Sequence, residues 1–408
     1  MTRSGADEIR PFPLLNGPRI LFLALVAAVA TSTSYAVQPE LDDIAHDLGA
    51  SLASTSAAAG LPILGYMLGL AFLVPLVDRT PAPRLLFSQL TVLGLSLALV
   101  SVAPNVHVFG LGLLVSGMCA SAGAQLSTLA GKHSPAERRG RALGIVTAGI
   151  SAGILLGRII GGGLADWIGW RAMLAVVAFA CLACAAGCLV LAPRAVARAP
   201  ESYLATLGSM PGLLRTHPVL RAAALSGALW FFAFSVVWMS LSIALALPPL
   251  SLPAAVIGLY SLAGLAGMVS TRVAGQLADR FGSRRVILTG LTLAFVCALA
   301  MIPGLGSAPF MLVMLALFDA GLFAAQVANQ NQVLSLDPIR PARFNSVYMV
   351  VYFVGGSVGT AAGGVIVSLF GWPAAAAIAA AFVMISLTAQ GGSEVSLESR
   401  TANKGAGC

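Results

Sequence analysis

Long apolar runs separated by short clusters of charge, proline and glycine dominate the chain. Most of these runs exceed what a strand or a small globular core needs, and they match the roughly 20 apolar residues that carry a helix across the hydrocarbon of a bilayer. The pattern predicts helices near 20–38, 56–77, 85–104, 107–130, 141–165, 171–192, 219–247, 254–278, 286–304, 308–334, 344–370 and 373–390. The longest interruption, 193–218, carries Arg194, Arg198 and Arg215 and falls near the middle. The expected layout is therefore a polar segment at 1–18, a six-helix bundle at 19–192, a connecting loop at 193–218, a second six-helix bundle at 219–390, and a disordered tail at 391–408. The fold class is an all-α membrane protein with twelve transmembrane helices in two six-helix bundles.

Composition sharpens this picture. Hydrophobic residues make up 58% of the 408 residues and charged ones 9%, where a soluble domain has about 25% charged. A net charge of +8 would suggest nucleic acid in a soluble protein. Here the basic residues collect on one side of the spans. With the N-terminus in the cytoplasm, twenty Lys and Arg fall on the cytoplasmic side and only Arg171 on the other, which is the positive-inside pattern. Both termini are thus expected in the cytoplasm of a cell with a plasma or inner membrane, and no nucleic-acid partner is expected. The first outer loop holds Glu40, Asp42, Asp43 and Asp47 without a basic residue. The apolar run after Arg19 is too long for a cleavable leader. Cys181, Cys184 and Cys188 have a metal-like spacing but no His or carboxylate beside them, so they are read as packing. Gly131-Lys132 is followed by His133, which breaks a phosphate-binding loop. No metal, cofactor or catalytic residue is expected, and the chain is not read as an enzyme.

The sequence also repeats. VPLVDRTPAPR returns as GQLADRFGSRR, with Asp78 and Asp279 201 positions apart. Arg141, Gly157, Gly161, Gly162, Gly169 and Trp170 recur at an offset of 202 as Arg343, Gly359, Gly363, Gly364, Gly371 and Trp372. Six spans return each half to the side where it began. The halves are therefore related by a pseudo-two-fold axis along the membrane normal, and a cavity between them can open to either face. A weaker echo links GGGLADWIGWR, around Asp166, to GQLADRFGSRR.

These residues resemble the major facilitator superfamily from about Arg19 to Gln390. The family writes the loop between the second and third helices of each half approximately as G-x-L-a-D-r-x-G-r-R/K. Gly275, Leu277, Asp279, Arg280, Gly282, Arg284 and Arg285 match it; the first copy keeps Asp78, Arg79 and Arg84 but has Pro75 and Thr80-Pro81-Ala82 where glycines are usual. The resemblance implies a cytoplasmic latch in the outward-open state, and a basic loop that only sets topology is the alternative. Gly149, Gly153, Gly157 and Gly161 recur every four residues on the fifth helix, so another helix can approach that face closely. Exporters of the family carry a glycine-rich motif here, usually with Gly-Pro where this chain has Gly157-Arg158. The run from Tyr35 to Ser51, with GRIIGG, looks most like bacterial efflux permeases.

Three ionisable residues remain inside the spans: Arg158, Arg272 and Asp319. Such groups are costly in hydrocarbon and are functional candidates by default. Asp319 lies roughly 16 Å into the tenth helix at 1.5 Å per residue, which makes it the candidate for proton coupling, with Arg272 as one possible cation; a structural ion pair is the alternative. Arg158 is expected near the outer face, where it could meet Glu40, Asp42 and Asp43 as a gate pair or snorkel to the interface. In the family the first, fourth, seventh and tenth helices line the central path. Here they carry the cavity candidates Tyr35, Gln38, Gln125, Phe231, Ser235, Trp238, Gln326, Asn329 and Gln330, although packing against lipid or core is the commoner role for each aromatic taken alone, and Trp238 could anchor at the interface. The reading is a monomeric, proton-coupled exporter of small organic or amphipathic compounds. The alternatives are a symporter or facilitator importing a small metabolite, such as a sugar or organic acid, and a non-transporting sensor on the same scaffold.

Overall fold

A helix in hydrocarbon must satisfy its backbone within itself, and each apolar run does so here. The computed structural model describes residues 17–78, 80–134, 138–193, 210–336 and 341–405. Among them the spans are α1 (Gly17–Ser32), α2 (Leu52–Phe72), α3 (Ala82–Ser101), α4 (Val106–Gly131), α5 (Arg139–Ile168), α6 (Trp170–Leu191), α7 (Pro218–Ala246), α8 (Ala254–Phe281), α9 (Ser283–Met301) and α10 (Ala308–Leu334). A last run, Pro341–Gly405, is broken at Gly371 (φ 73°) into α11 (341–370) and α12 (372–405). Strands are absent from the described residues.

Local chemistry sets the ends. Ser51 caps α2 by accepting from the Ser54 N–H at 3.1 Å, and Asn105 caps α4 through His107 and Val108, each side chain serving an N–H that the helix leaves unpaired. Gly169 and Gly282 reverse the chain at φ 81° and 87°, backbone angles that glycine adopts without strain. Each donates its N–H to an alanine carbonyl four residues back, Ala165 at 2.8 Å and Ala278 at 2.9 Å. The echo between the Asp166 and Asp279 segments is therefore a shared turn.

Two expectations change. α1 ends at Ser32 rather than at 38: residues 33–37 form a turn ahead of Pro39, whose missing N–H cannot continue the helix ladder, and the Ser32 and Thr33 hydroxyls serve the Val29 and Ala30 carbonyls. A 3-10 turn (Gln38–Glu40) and a short helix (Leu41–Asp47) complete the connection to α2. Where a disordered tail was expected from Gly391, the helix runs on to Gly405; no proline after Pro373 stops it, and extending a formed helix is easy compared with nucleating one. Residues 1–16 and most of the central loop, 194–209, lie outside the described residues.

The repeat is visible in the packing. Along α5, Gly149, Gly153, Gly157 and Gly161 face the backbones of Ala24, Ala28, Ser32 and Ala36 in turn. A Cβ on any of them would enter that backbone. In the second half, Gly355, Gly359 and Gly363 of α11 face Ala228, Phe232 and Val236 of α7 in the same way. The next glycine in each half turns to the opposite half: Gly162 meets the Ala254 backbone on α8, and Gly364 meets Ser56 on α2. Tandem glycines thus serve two contacts, one within a half and one across the seam.

Each half encloses its own apolar core, one around Leu86, Leu93, Leu113 and Cys181 and the other around Trp230, Leu291, Phe318 and Tyr348. Leu25, Leu95, Phe179, Val190 and Leu369 point outward, as lipid-facing positions do. Chain direction gives the bundle two ends. The basic end holds Arg84, Arg139, Arg141, Arg280 and Arg285, and the acidic end holds Glu40, Asp42, Asp43, Asp47 and Asp166.

Candidate functional site

Five of the groups predicted to matter, Tyr35, Gln38, Arg158, Trp238 and Asp319, meet between the halves. Arg158 projects from α5, is 4% exposed, and donates through Nε to the Gln38 Oε1 at 2.8 Å. Its guanidinium carbon lies 4.7 Å from the Tyr35 ring centroid and 4.4 Å from that of Trp238. A cation sandwiched by rings in a desolvated place gains from both quadrupoles. Trp238, on α7, donates its indole N–H to the Asp319 Oδ1 at 3.2 Å. Asp319, on α10, is 1% exposed. The first half thus supplies the cation and the second the carboxylate, with one indole touching both.

Below this group a cavity of about 430 Å³ runs between α5, α7, α8 and α10. Arg158, Trp238 and Asp319 lie at its head; Thr147, Ser151, Phe234, Thr271, Arg272 and Phe323 are among its walls, and Leu143 and Gly144 mark its extent toward the basic start of α5. At the acidic end the halves touch. There Gly258 meets the Arg158 backbone, Gly162 meets Ala254, and Gly60 lies against Ser357 and Ala361. The Asp166 carboxylate, at the end of α5, accepts from the Ala254 N–H at 3.1 Å and the Ala255 N–H at 2.8 Å, so it caps α8 across the seam. A 430 Å³ space suits a modest organic solute.

Several candidates fall elsewhere. Arg158 does not meet Glu40, Asp42 and Asp43. Its side chain follows the tilt of helical Cα–Cβ bonds toward the helix N-terminus, which here is away from the acidic end. Arg272 is exposed on the cavity wall, and the cation beside Asp319 is Arg158. Gln125 donates to the Leu73 carbonyl at 2.8 Å, where α2 has ended. Asn329 donates to the Ala223 carbonyl and accepts from Gln390, while Gln330 donates to Asn345. These amides tie helices together. Phe231 stacks on Tyr352 at 4.1 Å within an aromatic cluster of the second half; Ser235 is buried nearby and Gln326 half-buried. The cavity walls come from the fifth, seventh, eighth and tenth spans, where the first, fourth, seventh and tenth were expected. Of the latch residues, Arg79 and the Asp78 side chain lie outside the described residues. Arg84, Asp279, Arg280 and Arg285 are exposed at the basic end and Arg284 is half-buried, with Arg280 set 5.1 Å over the Phe281 ring.

Sequence reasoning missed Asp166, Thr147, Ser151, Phe234, Thr271 and Phe323 as parts of this region. Only Asp166 carried a signal, its place in the repeated turn. At the acidic surface Arg171 pairs with Asp47 at 2.9 Å and donates to the Ser101 and Ala103 carbonyls.

Two similar halves, a seam sealed at one end and a cavity between them agree with the comparisons. The Major Facilitator Superfamily profile matches residues 20–360. The chain belongs to the Major Facilitator Superfamily. It is 32% identical over 375 residues to the "Probable transporter SCO4007" of Streptomyces coelicolor, covering 90% of this chain and 86% of that one. It is 30% identical over 301 residues to a chloramphenicol resistance protein of Streptomyces lividans, covering 70% and 73%. Its fold matches a bacterial homologue of the human lysosomal transporter Spinster, solved inward-facing and unoccupied, with a TM-score of 0.73, 16% identity and coverage of 91% and 93%. Ten helices are long and apolar enough to span a bilayer, one of them 47 residues long and broken at Gly371, and the shorter α1 completes twelve among the described residues. The protein is thus a multi-pass membrane transporter of the superfamily and not an enzyme.

Proposed function

We propose that this transporter exports small organic compounds in exchange for protons, by alternating access of the cavity to the two membrane faces. The observation that carries the reading is the bridge from Arg158 through Trp238 to Asp319, because it joins the halves at the head of the cavity. A buried carboxylate linked to the opposite half through the indole of Trp238 can report its protonation to the relative position of the halves, which is what coupling requires. The basic end faces the cytoplasm in this reading, following the distribution of Lys and Arg, and the cavity then loads from inside. The chloramphenicol resistance relative favours export over import. A single chain encloses the path, so a monomer suffices.

Inside-out vesicles carrying an imposed pH gradient provide the test. Gradient-driven accumulation of a solute such as chloramphenicol is expected for the native chain and is expected to vanish in Asp319→Asn. Full gradient-driven uptake by Asp319→Asn would remove Asp319 from coupling. Uptake that ignores the gradient in the native chain would favour a facilitator.

A further inference from the structure

Glu40 occupies the acidic seam without a cationic partner among the described residues. It is 2% exposed, and its Oε1 is buried with no hydrogen-bond partner among the described residues. The charges acting on it are those of Asp166, from the end of α5, and Asp43, from the helix that follows. Asp42 and His46 share that short helix. The packed acidic half of α7 (236–246) and the first turn of α8 (Ala254–Leu259) bring no titratable side chain. Arg158 is committed to Gln38 and two rings. A carboxylate shut away with a bare oxygen and acidic neighbours is expensive to keep ionised.

We propose that Glu40 is a proton-binding site that locks the acidic seam, protonated when the halves close there and ionised when they part. The lock works beside Asp166, which holds α8 across the same seam through two backbone N–H groups. Burial, then Asp166 and Asp43, push the Glu40 carboxyl up to about 8 in the closed arrangement. Opening the seam returns it to water and to the ordinary carboxylate range. The closed form therefore binds the extra proton. Closure is favoured as pH falls below about 8, by at most about tenfold per pH unit until the ordinary carboxylate range is reached, and the preference is lost above the upper limit. A proton arriving from the acidic side would shut the gate behind it. The proposal rests on the alternating-access reading, not on Asp319 being the coupling group.

Spin labels at His107→Cys and Ser307→Cys, exposed positions at the acidic starts of α4 and α10, report the seam in the full-length protein in nanodiscs. Pulsed electron–electron resonance should show a short distance dominating at pH 5 and a longer one growing about tenfold relative to it between pH 7 and 9. Glu40→Gln and Glu40→Ala should both keep the short distance at high pH. A native chain insensitive to pH, or a pH response intact in both variants, overturns the proposal. Gly258→Trp, which drives a ring into the Arg158 backbone, serves as an opened reference. If it lengthens the distance while pH does not, the lock alone fails; if the distance is fixed under every condition, rocking at this seam fails with it.

Discussion

Arg158 shows how much a side chain's direction matters. Counting residues along α5 places its Cα toward the acidic face, yet the guanidinium reaches back to Gln38, Tyr35 and Trp238. The position was legible in the sequence and the partners were not, because the count gives height while the Cβ tilt and the opposing helix decide the contact. Arg158→Lys should keep the charge but lose the flat stack and the Nε hydrogen bond. Transport in vesicles is expected to fall by about tenfold or more, the scale of a lost hydrogen bond to a charged group, with folded protein recovered in native yield. Trp238→Phe separates the two tasks of the indole. It keeps a ring beneath the guanidinium and removes the N–H that Asp319 accepts, so a similar fall in coupled uptake should come from that one bond. Native coupled uptake in Trp238→Phe would show that the bond to Asp319 is dispensable.

At the scale of elements, glycine spacing carried more information than polarity. The four-residue repeat on α5 announced a close neighbour, and α1 is that neighbour. The amides were harder to read. Gln125 and Asn329 have the composition of a binding wall but serve the Leu73 and Ala223 carbonyls, needs that arise only once the helices are assembled. Gly157→Leu tests the stripe. Its side chain would enter the Ser32 backbone, and overpacking at a close contact costs about 1–3 kcal/mol. A lowered thermal midpoint in detergent is expected. Gly163→Ala, with nothing within 4 Å of the new methyl, should leave the midpoint unchanged or slightly higher, since alanine favours helix by about 1 kcal/mol. Equal losses in both variants would show that general helix perturbation, rather than the α1 contact, sets the effect.

The whole molecule is a pair of halves touching along two related seams, α5 with α8 and α11 with α2. The repeat of Gly161-Gly162 as Gly363-Gly364 announced two related halves, but a repeat offset says nothing about which end is sealed. That depends on how closely the halves approach, and here they meet at the acidic end and part around the cavity toward the basic one. A side chain too large for a seam should reverse the preference. Gly162→Trp would force a ring against Ala254, and Gly364→Trp would force one against Ser56. Since neither the Ala254 backbone nor the short Ser56 side chain can yield as a long flexible side chain does, the cheaper response is for the halves to separate at the acidic end and close at the basic one. Ser151→Cys, on the cavity wall, reads that change through its reaction with a membrane-impermeant maleimide applied from the basic side of vesicles. Labelling should be rapid in the otherwise native chain and about tenfold slower with either wedge, corresponding to about 1.4 kcal/mol of shifted preference. Because the seams are related by the pseudo-two-fold axis, the two wedges should act alike. Rapid labelling with both wedges would mean that the seams do not govern access.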